Sequence, residues 1–356
     1  MSSITFDQAT CVYPGSDVPA LDHLDLEVAD GELLVLVGPA RSGKTSALRL
    51  IAGLEDVAAG RVLIGGRDVT NVPPKDRDVA MVFQNYALYP HLSVADNMGF
   101  TLKISGVPAD EVTSRVTQAA EILGLTGYLS ERPAALSSAQ RQQVALGRAV
   151  VREPRVFLMD EPLVALEPSI REQTRDQIAR LQKHLGVTTV YATTDPLEAM
   201  LMADRVAVLI DGRLQQVGPP REVYDSPVNA AVAGFIGLPP MNLFPLGVES
   251  GQVRLGDLLL PVPQDDLTEV QVGVRPEDLT VTTLAADPAP QTLVGTVQEV
   301  YDTDGDGSYA RVAVECLPEP LLGRVSGDRV EVGTRVNAFP DPRHVHLFSL
   351  ASGRRL

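Results

Sequence analysis

A chain of 356 residues has room for two domains, and with 44 % apolar residues a buried core is not in doubt. Its formal net charge of −16, offset by no basic run, argues against nucleic acid or an anionic membrane surface as a direct partner. Cys11 and Cys316 show no metal-type spacing and suit a reducing interior, no apolar run spans a bilayer, and the N-terminus lacks the basic start and apolar core of a signal peptide.

In chain order, residues 1–30 read as two short strands joined by a turn at Pro14–Asp17. Tyr13, just ahead of that turn, is a candidate platform for a purine base, since stacking needs only an exposed π-face; a rim or core role is the alternative. Glu32–Val37 is a buried strand that empties into Gly38-Pro39-Ala40-Arg41-Ser42-Gly43-Lys44-Thr45, and Ser46–Gly53 continues as a helix. Strand, glycine loop, lysine and helix predict a triphosphate cradle. Backbone N–H groups from Gly38 to Thr45 face the anion, the positive end of the helix dipole favours it, Lys44 reaches the outer phosphates, and the Thr45 hydroxyl ligates Mg²⁺.

Beyond the cradle, Gly60–Gly66 predicts a strand and hairpin turn, and Val79–Phe83 a buried strand ending on Gln84. Asn85–Leu92, aromatic and broken by Pro90, predicts a loop that either offers its rings to another surface or folds them into its own core. Helices are expected over Val107–Leu125 and from Ser138 through Val150. Val156–Met159 is a strand that delivers Asp160 and Glu161; a helix through Ile170–Leu185 and a strand at Thr188–Thr193 follow. Asp195-Pro196 opens another helix, with aspartate as cap and proline in the first turn, and Val206–Ile210 gives one more strand. This alternation predicts an α/β fold: a doubly wound, mainly parallel sheet with its ligand at the carboxyl ends of the strands. From about Gly234 the segments shorten and alternate, as at Val272–Val274, Gly295–Tyr301, Tyr309–Val314 and Arg329–Val332. That predicts an all-β barrel. The expected domains are 1–235, with a helical subdomain at about 86–150, and 236–356.

A strand ending in Asp160-Glu161-Pro162 after a phosphate loop lets one carboxylate hold the Mg²⁺ shell while its neighbour polarises a water for in-line attack. With these residues in place, the sequence resembles the ATP-binding subunits of ABC transporters, specifically those of bacterial sugar and glycerol-phosphate importers. The resemblance rests on Gly38–Thr45, Met81–His91, Leu136-Ser137-Ser138-Ala139-Gln140-Arg141-Gln142, Phe157–Pro162 and Glu198-Ala199-Met200. In the second domain it rests on Gly234–Gly237, Met241-Asn242 and Val274–Glu277.

The resemblance implies a P-loop NTPase fold followed by an OB-like regulatory barrel that supports dimerisation. It implies ATP and Mg²⁺ as cofactors. Tyr13 would stack on adenine; Ser42, Lys44, Thr45 and Ser46 would serve the phosphates and metal; Gln84 would sense Mg²⁺ and the water. Asp160 would support the metal and Glu161 would act as general base. Two subunits, identical or homologous, would close head to tail, each ATP lying between one cradle and the partner's Leu136–Gln140 stretch, which supplies Ser137, Ala139 and Gln140. Residues 86–92 would contact transmembrane permease subunits at the cytoplasmic face of the plasma membrane. An extracytoplasmic solute-binding protein would act indirectly, and no nucleic acid is involved.

Four departures stand out. Ser138-Ala139 replaces Gly-Gly, and the added side chains crowd a place where backbone approaches phosphate. Arg41 replaces a glycine, at roughly 1–2 kcal/mol if the position needs positive φ. Glu167 replaces an aspartate. Thr194 replaces a histidine, and losing one preorganised donor of that kind costs roughly 10²–10³ in rate. Binding is expected to survive while fast hydrolysis is in doubt, so the alternative to an import ATPase is a nucleotide-binding paralogue with little turnover, paired with an intact subunit. A soluble P-loop kinase or repair ATPase leaves Leu136–Gln140 and the second domain unexplained. Asp302–Gly307 imitates the start of a Ca²⁺ loop but has Ala313 where the closing glutamate belongs, which favours a hairpin turn. His344 and His346 are expected on one face of a strand, as a structural pair without a third metal ligand.

Overall fold

The computed structural model describes residues 2–84, 88–256, 258–264, 267–284, 293–303, 307–315, 317–327 and 329–356. Two compact units divide the chain, Met1–Arg221 and Glu222–Leu356. The first begins with β1 (Ile4–Cys11), β2 (Leu21–Val28), β3 (Leu33–Val37), α1 (Lys44–Ala52), β4 (Ala59–Ile64), β5 (Arg67–Asp68) and β6 (Val79–Val82). Three helices follow, α2 (Val94–Ile104), α3 (Ala109–Leu123) and α4 (Ser138–Val150). Alternation resumes with β7 (Val156–Asp160), α5 (Pro168–Leu185), β8 (Thr188–Thr193), α6 (Pro196–Met202), β9 (Arg205–Ile210) and β10 (Arg213–Gly218).

The predicted parallel sheet is present, with order β10-β9-β3-β8-β7-β6 and only β10 antiparallel to its neighbour. Every residue of β3 is buried, which is what a strand flanked on both edges and covered on both faces requires. Leu34 and Leu36 have no exposed surface, so truncating either to alanine would cost about 2–5 kcal/mol. Strands β1 and β2 stay out of this sheet. Joined by a short turn, they can only pair antiparallel, and they form a separate sheet, β2-β1-β4-β5. Leu48, Leu50 and Ile51 of α1 sit in one core with Ile4 and Phe6 of β1 and with Leu34 and Leu36 of β3.

Sequence periodicity gives no sign of α2. Its start is nevertheless written locally: Ser93 accepts a hydrogen bond from the Asp96 N–H at 3.0 Å, and Val94, Asn97, Met98 and Leu102 are buried. Strand β6 stops at Val82; Phe83, expected inside it, is 45 % exposed.

Helix α7 (Pro220–Asp225) lies across the unit boundary, and the second unit continues with α8 (Ala230–Phe235), β11 (Asn242–Glu249), β12 (Gln252–Leu255), β13 (Leu258–Pro261) and β14 (Glu269–Val274). It ends with β15 (Leu279–Thr283), β16 (Leu293–Thr303), β17 (Gly307–Val314), β18 (Leu321–Val325), β19 (Arg335–Pro340) and β20 (Val345–Ser349). The predicted barrel is a closed one, β15-β18-β17-β16-β19, accompanied by a sheet of order β13-β12-β11-β14-β20. Sequence texture puts the domain change at residue 236, whereas the compact units part between Arg221 and Glu222. The reason is packing: Ala230 and Ala233 of α8 bury against Met241 and Phe348, and Arg275 donates to the Ile236 and Tyr224 carbonyls at 2.8 and 2.6 Å.

Two sequence readings are corrected here. Arg329–Val332 is not a strand; Val330 is buried in the barrel core from a loop that turns at Gly333 and feeds β19. His344 and His346 do not share a face. His344 closes a 3₁₀ turn at Pro342–His344 and, itself exposed, meets half-buried Asp278 at 2.8 Å, while His346 lies buried on β20. Burial, with Arg355 and Arg275 nearby, lowers the His346 pKa to about 4. Thr303 pairs with Gly307 across β16 and β17; residues 304–306 between them, and Cys316, lie outside the described residues. Cys11 is buried, and among the described residues no helix is long and apolar enough to cross a membrane.

Candidate functional site

The carboxyl ends of four parallel neighbours converge. Val37 of β3 lies opposite Thr193 of β8, Ala192 of β8 opposite Asp160 of β7, and Met159 of β7 opposite Val82 of β6. The residues that leave these ends are Gly38, Thr194, Glu161 and, two beyond Val82, Gln84. Strand register alone therefore brings Gly38, Gln84, Asp160, Glu161 and Thr194 to one end of the sheet.

The loop after β3 is shaped by close approach. A Cβ on Gly38 would lie 2.0 Å from the Leu209 carbonyl oxygen, so only glycine fits there. Gly43, at φ 98°, caps α1 and turns the chain into it. Pro39, Ala40 and Arg41 are exposed, whereas Ser42 and Lys44 are buried. The Lys44 ammonium donates to the Gly38 and Pro39 carbonyls at 2.9 and 2.8 Å. Burial lowers its pKa, and the Glu161 and Asp160 carboxylates push it back up.

Thr45 ties the loop to the acids: its Oγ1 donates to Asp160 Oδ1 at 2.9 Å. Burial raises the Asp160 pKa, countered by that hydrogen bond and by Arg49 and Lys44. Hydroxyl and carboxylate together are two hard oxygen donors, the modest protein share that Mg²⁺ takes when substrate phosphates and waters complete its shell. Glu161 is in left-handed backbone, φ 45°, and its N–H donates to the Ala192 carbonyl at 2.9 Å, so the turn that aims the second acid is strained and pinned to β8. Tyr13 packs against the core of the unit, and its hydroxyl lies 3.1 Å from Ser46 Oγ at the start of α1.

Other predicted residues make no bond to this cluster. Gln84 is exposed and, among the described residues, makes no hydrogen bond; Thr194 is half-buried with none either. Ser137, Ala139 and Gln140 open α4 and do not bond to the cradle. Ser137 caps the helix by accepting from the Gln140 N–H at 3.2 Å, and Gln140 Oε1 accepts from the Ser137 N–H at 2.8 Å. Ser138 and Ala139 are helical with negative φ, so their side chains carry no backbone penalty. Glu167 occupies the N-cap of α5 without a capping hydrogen bond. A glutamate there is one methylene too long for the local bond that aspartate makes.

Three supporting residues escape sequence reasoning. Arg77, buried, donates to the Leu50 and Ile51 carbonyls at 2.6 and 3.0 Å and so closes the C-terminus of the cradle helix. Asn97, fully buried, receives the Tyr89 N–H at 2.8 Å and donates to the Tyr89, Leu92 and Ser93 carbonyls, holding the aromatic loop to α2. There the Tyr89 ring meets Phe100 at 4.5 Å and Arg148 at 5.0 Å, so this ring turns inward; residues 85–87 of the same loop lie outside the described residues. Buried Glu198 accepts from Tyr191 and Thr193 at 2.8 and 2.7 Å, directly behind Thr194. Glu198 lies in a stretch that carries the family resemblance, but no sequence signal gives these three residues their supporting roles.

Comparison with known proteins agrees with this geometry. Residues 21–164 match the family described as ABC transporter, 242–281 the CysA C-terminal regulatory domain, and 272–348 the TOBE domain. The chain is 54 % identical over 376 residues to the diacetylchitobiose uptake system ATP-binding protein MsiK of Streptomyces coelicolor, covering 100 % of both. It is 42 % identical to the sn-glycerol-3-phosphate import ATP-binding protein UgpC of Paracoccus denitrificans, covering 100 % of this chain and 99 % of that one. A solved ATP-binding cassette, a dimer in a post-hydrolysis state bound to ADP and Pi, superposes with TM-score 0.55 at 25 % identity over 61 % of this chain and 99 % of its own.

Proposed function

From a chain that belongs to the ATP-binding subunits of ABC transporters, of the sugar and glycerol-phosphate importer type, we propose an ATPase that energises uptake of a carbohydrate or related solute. The observation that carries this is the 2.9 Å bond from Thr45 to Asp160, which joins the phosphate loop to the acid pair at the strand ends.

Gly38–Thr45 would wrap the phosphates with backbone N–H groups, and Lys44 would exchange its loop carbonyls for phosphate oxygens. Tyr13 would stack on adenine, its hydroxyl steadied by Ser46. Thr45, Asp160 and Gln84 would hold Mg²⁺, which when bound neutralises developing charge on the phosphates. Glu161 takes the proton of the attacking water. Thr194 holds the place where the family has histidine; neutral and short, it leaves the departing phosphate with one donor fewer.

The partner cradle would be closed by Ser137, Ala139 and Gln140, a helix start whose Ser137 and Gln140 side chains cap one another's backbone. Permease subunits at the cytoplasmic face of the plasma membrane are the transmembrane partners we assign, met beside the Asn97-held loop, and a solute-binding protein acts through them. The barrel unit serves regulation and dimer contact. Steady-state turnover with Mg-ATP, measured alone and with the permease subunits, tests the reading; a purified chain showing no nucleotide-dependent thermal shift would sink it. Thr194 favours a second reading, a nucleotide-binding paralogue with little turnover beside an intact ATPase subunit, and negligible turnover by both preparations would select it.

A further inference from the structure

Arg41 is held in a conformation that an arginine does not choose. Its φ is +66°, inside the phosphate loop, where any side chain is strained relative to glycine. No contact among the described residues repays that cost. The side chain is exposed and, among the described residues, has neither a hydrogen bond nor an ion pair. Strain kept at a functional loop without an internal contact points outward, to something the loop binds.

The electrostatics of the loop show what that is. Lys44, the buried cation, faces two carboxylates, Asp160 and Glu161. Arg49 also acts on Asp160 but is engaged with Glu55 at 3.2 Å. The whole chain carries −16, so a polyanionic nucleotide approaches against the field. An exposed guanidinium at the mouth offsets that local negative charge, and its planar fork of donors matches phosphate oxygens.

We propose that the Arg41 side chain binds the phosphate chain of the nucleotide, as an outer cation that complements buried Lys44. The proposal rests on the nucleotide reading above and adds a contact that the loop's backbone does not supply.

The test is Mg-ATP affinity of the full chain by calorimetry, at low salt and at about 0.5 M, where an exposed charge contact is screened. Arg41→Ala keeps the backbone cost and removes the charge, Arg41→Gly removes both, and Arg41→Lys keeps a charge. Both neutral variants should bind roughly three- to tenfold more weakly at low salt, the gap closing at high salt, with Arg41→Lys in between. Arg41→Gly should also melt higher than wild type without nucleotide, and Arg41→Ala should not. Neutral variants that bind as tightly as wild type overturn the proposal, as does an Arg41→Gly that regains full affinity while Arg41→Ala does not, since that marks a backbone effect. Wild type that binds no Mg-ATP instead overturns the nucleotide reading itself, so the two failures are distinct.

Discussion

The two halves of the site are built differently. The half that would grip the nucleotide is dense: Lys44 and Ser42 are buried, Thr45 is bonded to Asp160, and Arg77 locks the far end of α1. The half that would hydrolyse it is sparse: Gln84 and Thr194 make no hydrogen bond among the described residues, and Glu161 sits on a strained turn. A preorganised grip can be assembled within one chain because its partners are its own carbonyls and carboxylates. Groups that act on a developing charge have no partner until that charge exists, so a fold holds them by backbone alone.

The largest expected effect breaks the sparse half. Glu161→Gln should lower turnover by roughly 10²–10⁴, the usual share of a general base, while Mg-ATP affinity measured by calorimetry stays within a few-fold. Next, Thr194→His should raise kcat by roughly 10–10² with little change in KM, since the added donor acts on the transition state. A brisk wild type that this change does not accelerate would remove the distinction between the halves.

Asp160 probes the dense half through pH. Burial places its folded pKa above the unfolded 3.8, so the carboxyl favours the fold only while protonated, and that contribution is lost as pH rises through the folded pKa. At neutral pH Asp160→Asn should therefore melt about 2–4 °C higher while Mg²⁺-dependent ATP binding weakens, a trade of stability against function. The smallest effect is Glu167→Asp, which should stabilise α5 by about 0.5–1 kcal/mol in chemical denaturation by supplying the missing cap. Its turnover should not change.

How much of this was legible depended on range. Strand Thr188–Thr193 and the Asp195 cap with Pro196 can be read off the chain because their causes lie within a few residues: Asp195 accepts from the Leu197 N–H at 2.8 Å. Helix α2 carries an equally local cap at Ser93 but hides behind a polar, glycine-containing face. Arg329–Val332 imitates a strand because Val330 is apolar, though its burial comes from a loop. His344 and His346 look paired at a spacing of two, but His344 ends a 3₁₀ turn and only His346 lies on the strand that begins at Val345.

By itself the sequence determined the chemistry: a glycine loop, its lysine and threonine, and an acid pair after an apolar strand, each specified by neighbours in the chain. Only the tertiary structure decided that β1 and β2 leave the main sheet, that α8 belongs with the barrel unit, and that Arg41 bears a left-handed backbone with no partner among the described residues. Those outcomes depend on packing between residues distant in sequence, where the energy of each contact is set by what fills the space around it and not by the residue's own preference.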